Sequence, residues 1–290
     1  MPRGRFAPSP TGRLHFGSLV AALGSWLHAR SSGGTWIVRM EDLDGPREVP
    51  GAGADILATL CAFGMESDEP VVLQSQRTEL YAQAFRRLHE RGLVYPCHCS
   101  RSDLAAWDGI HPRACVKTPS DGLAAPAWRL RVGHAVVLVD DRLYGRFSQE
   151  LAGEVGDFVL RRADGSYTYQ LAVVVDDAAQ RISEVVRGAD LLDSTPRQVF
   201  LQRQLGLPTP AYVHLPLALD PAGRKLSKQD RSRPVDAADP LPALRAALAF
   251  LGQAVPGGSS VERFLREATA GFVVDAIPRQ HHLHVAMRKD

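Results

Sequence analysis

The run Arg5-Phe6-Ala7-Pro8-Ser9-Pro10-Thr11-Gly12-Arg13-Leu14-His15-Phe16-Gly17-Ser18 has the residue types of a phosphate site. A short strand meets a Pro/Gly turn, and a histidine with small residues then opens a helix. Such a helix start presents free backbone N–H groups and the positive end of its dipole. More than two hundred residues on, Lys225-Leu226-Ser227-Lys228-Gln229 sets two lysines around a serine, point charges and a hydroxyl suited to a polyphosphate. A third group joins Cys97-His98-Cys99 to His111 and Cys115. Three thiolates and one imidazole complete a tetrahedral zinc site, and the step from His111 to Cys115 falls within usual ligand spacing. A Cys97–Cys99 disulfide would be strained, and three cysteines leave one over. His98 competes as the fourth ligand, but in an extended segment it points away from its neighbours. No open coordination position is implied, so this metal would be structural.

The elements that must hold these groups can be read from periodicity. Leu19, Val20, Leu23, Trp26 and Leu27 recur at helical spacing between Gly17 and Arg30, and Ser31-Ser32-Gly33-Gly34 ends that helix. Trp36 to Met40 reads as a buried strand leading into the acidic loop Glu41-Asp42-Leu43-Asp44, and helices are expected over about 52–63 and 77–91. Strand–helix–strand–helix is the pattern of a parallel sheet covered on both faces. From 94 to about 150 the pattern breaks into prolines, cysteines and short alternating runs such as Val136-Val137-Leu138-Val139, which reads as an insertion. Beyond it, Tyr167–Asp177 and Ile182–Asp190 read as apolar runs ending in charge, and ligands of parallel sheets collect at the carboxyl ends of strands. Helices are expected over 240–251 and 261–270, and the His-rich end 279–284 reads as a solvated tail with little prospect of metal binding.

A chain of 290 residues can bury about three quarters of its extended surface. Its net charge is only +2, so RNA contact would rest on a local patch rather than on bulk charge. No apolar run approaches a membrane span, and no hydrophobic segment follows Arg3 and Arg5 as in a signal peptide; a cytoplasmic protein is expected. Cys61, alone in an apolar helical segment, reads as a small core residue.

The two phosphate-type signatures together resemble the HIGH and KMSKS motifs of class I aminoacyl-tRNA synthetases, spelt here His15-Phe16-Gly17-Ser18 and Lys225-Leu226-Ser227-Lys228-Gln229. The run from Arg5 to Gly12 is similar to that of glutamyl- and glutaminyl-tRNA synthetases. About sixty residues follow Gln229, too few for the helical anticodon-reading domain of a full glutamyl enzyme. With the Ala172–Asp177 segment, Val186-Arg187-Gly188-Ala189-Asp190-Leu191 and the Cys-x-Cys pair, the chain resembles the glutamyl-Q tRNA(Asp) synthetase family, truncated paralogues of the glutamyl enzyme. That family often has tyrosine where this chain has His111, which leaves the identity of the fourth metal ligand open.

The resemblance implies an α/β fold: a Rossmann-type parallel sheet with a small zinc-binding insertion and a short C-terminal helical region. The chain would divide into 1–93, the first half of the catalytic domain; 94–153, the insertion; 154–215, the second half; and 216–290, the KMSKS-type loop and helices. It implies activation of L-glutamate by ATP with Mg2+, without tRNA, and transfer to queuosine at the wobble position of tRNA(Asp). His15, Gly17, Ser18, Lys225 and Lys228 would be catalytic: His15 would hydrogen-bond the phosphates, Gly17 would admit the adenosine and Lys228 would meet the pyrophosphate. Arg5, Phe6, Ala7, Pro8 and Ser9 would line the glutamate pocket. Glu41 would pair with the substrate ammonium, Tyr169 would supply a hydroxyl, and Arg187 would give a planar fork for the second carboxylate. The anticodon loop would enter the groove normally used by an acceptor stem, with the protein a monomer. Three alternatives stay open: a minimal enzyme charging the 3′ end of tRNA(Glu), adenylation with transfer to some other small acceptor, and a non-catalytic RNA-binding paralogue. The ATP-facing residues that match count against the last.

Overall fold

In the computed structural model the described residues are 1–100, 102–112, 115, 125–219 and 234–284. Lys225 to Gln229 lie outside them. β1 (Arg3–Phe6), α1 (Phe16–Ser31), β2 (Thr35–Met40), α2 (Ala52–Ala62) and β3 (Val72–Leu73) follow in order, with β2 between β1 and β3 and both pairings parallel. The apolar stripe of α1 buries Leu19, Val20, Leu23 and Leu27 beneath this sheet. The helix approaches so closely that a Cβ on Gly24 would sit 2.6 Å from the Leu215 side chain.

α3 (Thr78–Glu90) leads to β4 (Val94–Cys97), β5 (Ala127–Leu130), β6 (Val136–Asp141), β7 (Gly145–Glu150), the single turn α4 (Leu151–Glu154) and β8 (Phe158–Arg161). β4, β5 and β8 form an antiparallel sheet of their own. The β6–β7 hairpin instead joins the main fold, because Asp141 pairs in parallel with Tyr212. The alternation of Val136 to Val139 is that of a half-buried strand: Val137 and Val139 are buried, Val136 and Leu138 exposed.

α5 (Tyr169–Ala179), β9 (Glu184–Gly188), α6 (Thr195–Leu205), β10 (Ala211–Leu215) and β11 (Leu217–Leu219) complete the second half. β10 lies between β6 and β9, parallel to both. This sheet meets the first at β1 and β9, where the Ser183 N–H donates to the Arg3 carbonyl at 3.0 Å and the Arg3 N–H to the Ser183 hydroxyl at 2.8 Å.

Three sequence expectations need correction. Cys61, on α2, is exposed rather than in the core, and its thiol donates to Glu66 at 3.4 Å. Of the apolar runs 167–177 and 182–190, only the second is a strand. The first is α5, with every residue from Leu171 to Asp177 buried. A run that is apolar all round shows neither period, so periodicity cannot separate a buried helix from a buried strand. Nor is the His-rich end merely solvated. β12 (His282–His284) pairs in parallel with β11, and the Tyr144 hydroxyl donates to the Gln280 carbonyl at 3.0 Å. Before it, α7 (Pro240–Phe250) and α8 (Val261–Ala270) pack Leu244, Leu248, Phe264 and Leu265 into the same core as α1.

Candidate active site

Two adjoining cavities open at the carboxyl ends of β1 and β9 and share Phe6, Ala7, Ser9, Ala21, Gly188 and Asp190. The first, of about 270 Å³, is bounded by Pro8, His15, Gly17, Ser18 and Leu215 to Ala218. His15 caps α1: its Nδ1 accepts the Ser18 N–H at 3.3 Å, and its Nε2 lies 2.9 Å from the Ser18 hydroxyl. Capping and facing the cavity are thus one role. Of the described residues on either side of 220–233, Leu217 and Ala218 line the cavity, and Pro234 bridges to His15.

The second cavity, about 450 Å³, has the size of a small-molecule site, ~300–1,000 Å³. It brings together Arg5, Glu41, Tyr169 and Arg187, with Arg47 and Arg162 also on its wall. Arg5 is buried and grips Asp177 with Nε and Nη2, at 3.2 and 3.4 Å. Behind it lies Arg39, fully buried, donating to Asp177 at 2.8 Å, Gln180 at 2.8 Å and Glu41 at 3.4 Å. Burial would lower the Arg39 pKa, but Asp177, Glu41 and Asp176 together raise it. Burial alone would raise the Asp177 carboxyl, yet Arg5 and Arg39 hold it below its ordinary value. Asp176 ties α5 to α3, accepting from Gln74 at 2.7 Å, Arg77 at 2.5 Å and Tyr81 at 2.7 Å.

Glu41 has the opposite balance. Burial pushes its carboxyl up to about 7, because Arg39 and Arg5 offset only part of the desolvation. A buried carboxylate short of positive partners is a receptor for a cation. Arg187 is buried and crowded: Nε donates to His214 Nε2 at 3.1 Å, Nη1 to the Tyr169 hydroxyl at 3.3 Å, and Nη2 to Thr195 Oγ1 at 2.9 Å and to the Leu191 carbonyl at 3.4 Å. Burial raises the pKa of Tyr169, so its hydroxyl keeps its proton.

Sequence reasoning missed Arg39, Asp177, Asp141 and His214. A charge inside the apolar strand Trp36–Met40 was the available signal for Arg39. Asp177 was marked by its place at the charged end of an apolar run. Nothing in the sequence connects Asp141, in the insertion, to Arg187.

Some distance along the chain, ligand atoms of Cys97, Cys99, His111 and Cys115 all lie within 4.8 Å of one another. A tetrahedron with bonds of ~2.3 Å has edges near ~3.8 Å, so the cluster fits a metal of zinc type, and its three sulfurs and one nitrogen suit zinc. His98 is not in the group. His111 Nδ1 lies 3.2 Å from the Tyr95 hydroxyl, which donates to Asp157 at 2.7 Å, so the ring is oriented from behind. Gly156, at φ +70°, bridges to His111, and a Cβ there would meet the His111 backbone at 2.5 Å.

The sequence matches the family model for the class I tRNA synthetases (E and Q), catalytic domain, over residues 2–118 and 125–260. It is 59% identical over 273 residues to a glutamyl-Q tRNA(Asp) synthetase of Burkholderia cenocepacia, covering 89% of this chain and 91% of that one. It is 57% identical over 281 residues to one of Xanthomonas oryzae pv. oryzae, covering 96% and 93%. Among solved structures, a glutamate tRNA ligase of Elizabethkingia meningosepticum in complex with its amino acid superposes with a TM-score of 0.81 at 26% identity, over 98% of this chain and 67% of that one. The chain belongs to the class I tRNA synthetases of the glutamate and glutamine type and, within them, to the glutamyl-Q tRNA(Asp) synthetase family.

Proposed function

We propose that this protein is an ATP-dependent ligase that activates L-glutamate, without tRNA, and transfers the glutamyl group to queuosine at the wobble position of tRNA(Asp). The observation that carries the reading is the convergence of Arg5, Glu41, Tyr169 and Arg187 on one cavity that opens beside His15. Glu41 receives the substrate ammonium, and Arg187 with Tyr169 receives the side-chain carboxylate. Arg5 and the backbone from Phe6 to Ser9 close the wall between the cavities. A glutamate α-carboxylate oxygen then faces the first cavity and attacks the α-phosphorus of ATP. The P–O bond to the β-phosphate breaks, pyrophosphate leaves, and glutamyl-adenylate remains.

Little covalent work falls to side chains in such a step; positioning and charge stabilisation supply the rate. His15 and the Gly17 N–H hold the phosphates, and Lys225 and Lys228, which lie outside the described residues, are the further cations for them. Mg2+, bound with ATP, neutralises charge on the phosphates. In the second step a hydroxyl of the queuosine cyclopentene ring attacks the activated carbonyl, forming an ester and releasing AMP. Arg47 and Arg162 offer cations to the anticodon loop.

The division of the chain into 1–93, 94–153, 154–215 and 216–290, a monomer at work in the cytoplasm, and one structural zinc held by Cys97, Cys99, His111 and Cys115 belong to the same proposal. With ATP, Mg2+ and radiolabelled glutamate, label is expected on tRNA(Asp) that contains queuosine and not on tRNA(Asp) that lacks it. Because the product is an ester, the label should be lost at mildly alkaline pH. Label on the 3′ end of tRNA(Glu) would instead identify a minimal glutamyl-tRNA synthetase, a reading favoured by the likeness to the glutamate tRNA ligase structure. No label and no glutamate-dependent pyrophosphate exchange would leave an RNA-binding paralogue.

A further inference from the structure

Behind Arg187 lies a buried polar chain that does not itself line the cavity. His214, on β10, is fully buried, and its Nδ1 lies 2.7 Å from Asp141 Oδ2. The same oxygen accepts the His214 backbone N–H at 3.1 Å, while Asp141 Oδ1 accepts the N–H groups of Leu143 and Tyr144, both at 2.9 Å. On its other side His214 Nε2 faces Arg187 Nε at 3.1 Å and the Thr195 hydroxyl at 3.1 Å. Tyr212 lies under both groups, with its ring stacked on His214 and 5.4 Å from the guanidinium carbon.

These contacts admit one protonation state. Burial, the neighbouring Arg187 cation and Arg5 lower the His214 pKa against the pull of Asp141, so the ring is neutral. Asp141 is ionised, its carboxyl held low, despite burial, by His214 and the turn N–H groups. A lone pair on Nδ1 facing that carboxylate would be repulsive, so Nδ1 carries the proton and Nε2 is an acceptor. Arg187 Nε can then donate to it. Of the five guanidinium N–H groups, Nε gives one, Nη2 two and Nη1 one, leaving a single Nη1 N–H without a partner among the described residues. The Tyr169 oxygen accepts from Nη1, and its own proton remains to be donated. Toward the cavity the pair offers two donors.

We propose that Asp141 and His214 are positioning residues that lock Arg187 and Tyr169 as a donor-only pair and so set the preference for glutamate over glutamine. The proposal rests on the glutamate-pocket reading above. A carboxylate accepts from both donors; the amide nitrogen of glutamine would bring N–H groups against N–H and O–H. The 94–153 segment thereby reaches the substrate site through Asp141, although none of its described residues lines the cavity.

The test is glutamate-dependent ATP–pyrophosphate exchange, read as KM for glutamate, glutamine and ATP in wild type, His214→Phe and His214→Gln. Phenylalanine leaves the Arg187 Nε–H unpaired, whereas glutamine can return an acceptor oxygen near the Nε2 position. His214→Phe is expected to raise the glutamate KM by about tenfold and to narrow the glutamate-to-glutamine ratio, with KM for ATP unchanged and His214→Gln recovering most of the loss. A folded His214→Phe protein with an unaltered ratio overturns the proposal. So does a loss shared equally by both variants and by the ATP KM. Should His214→Phe not fold, imidazole nitrogen NMR of the wild type decides: the Nδ1–H form is expected, and an Nε2–H form overturns it. A wild type with no glutamate-dependent exchange removes the pocket reading and this proposal together, whereas exchange with unaltered selectivity in the variant removes this proposal alone.

Discussion

At Glu41 the environment works against the residue's own charge. Its carboxyl is held near neutrality by burial, although Arg39 and Arg5 stand beside it. An incoming ammonium group must favour the ionised form, so protonation competes with substrate. KM for glutamate is therefore expected to rise as pH falls below about 7, approaching ~10-fold per pH unit, while KM for ATP stays level. A flat glutamate KM between pH 6 and 8 would contradict this. Stability runs the other way. The folded carboxyl binds its proton more tightly than the ordinary 4.5, so folding weakens as pH rises from there to about 7. Glu41→Gln should stabilise the protein at pH 8 by on the order of 1–2 kcal/mol while raising the glutamate KM, as thermal melts and exchange kinetics would show. The sequence made Glu41, Arg5, Tyr169 and Arg187 visible only because residue type and family spelling coincide. Arg39, equally central, is invisible to that test because its partners come from α5.

At the scale of elements, α5 is the instructive case. Its apolar run carries Asp176 and Asp177 into the interior, where they bind Arg5, Arg39, Arg77 and Tyr81. Read as a strand, the same run would still end in two carboxylates, so the place of the site was legible while the element was not. The insertion shows the reverse. Its Cys/His cluster was legible from ligand types, with the fourth ligand left open, but not the way β6 delivers Asp141 to the main sheet. If the cluster holds zinc, purified protein will carry about one zinc per chain, and Cys97→Ser will lose it. Stripping the metal should lower the melting temperature of the β4–β5–β8 region and impair RNA transfer more than pyrophosphate exchange. Metal-free protein that melts and transfers like wild type would rule out that role.

At the scale of the molecule, the two half-sheets meet at β1 and β9, and both cavities lie along that seam. α1 supplies the His15 cap from one end and its apolar stripe to α7 and α8 from its flank. The C-terminal helices therefore support the helix that His15 caps, and no described residue of α7 or α8 lines either cavity. Leu248→Ala, at a fully buried position in that packing, is expected to cost about 2–5 kcal/mol in denaturant unfolding. Both substrate KM values should stay unchanged well below the new midpoint; a selective change in one of them would mean that α7 bears on the site directly. Among the described residues, no helix is long and apolar enough to cross a membrane.

The sequence by itself determined the alternation of β1, α1, β2 and α2, the helices α7 and α8, the capping histidine, and the thiol and imidazole types of one cluster, and it singled out four residues that line the second cavity. Each is encoded locally, by a period, a cap or a ligand spacing. Tertiary structure alone decided that 169–179 is a helix and that 282–284 is a strand on β11. It also decided that Arg39 lies among three carboxylates, and that Asp141 and His214 stand behind Arg187. Those outcomes depend on which surfaces bury one another across more than a hundred residues or between separate sheets. Desolvation and pairing have no sequence period, and they act only once the chain has closed.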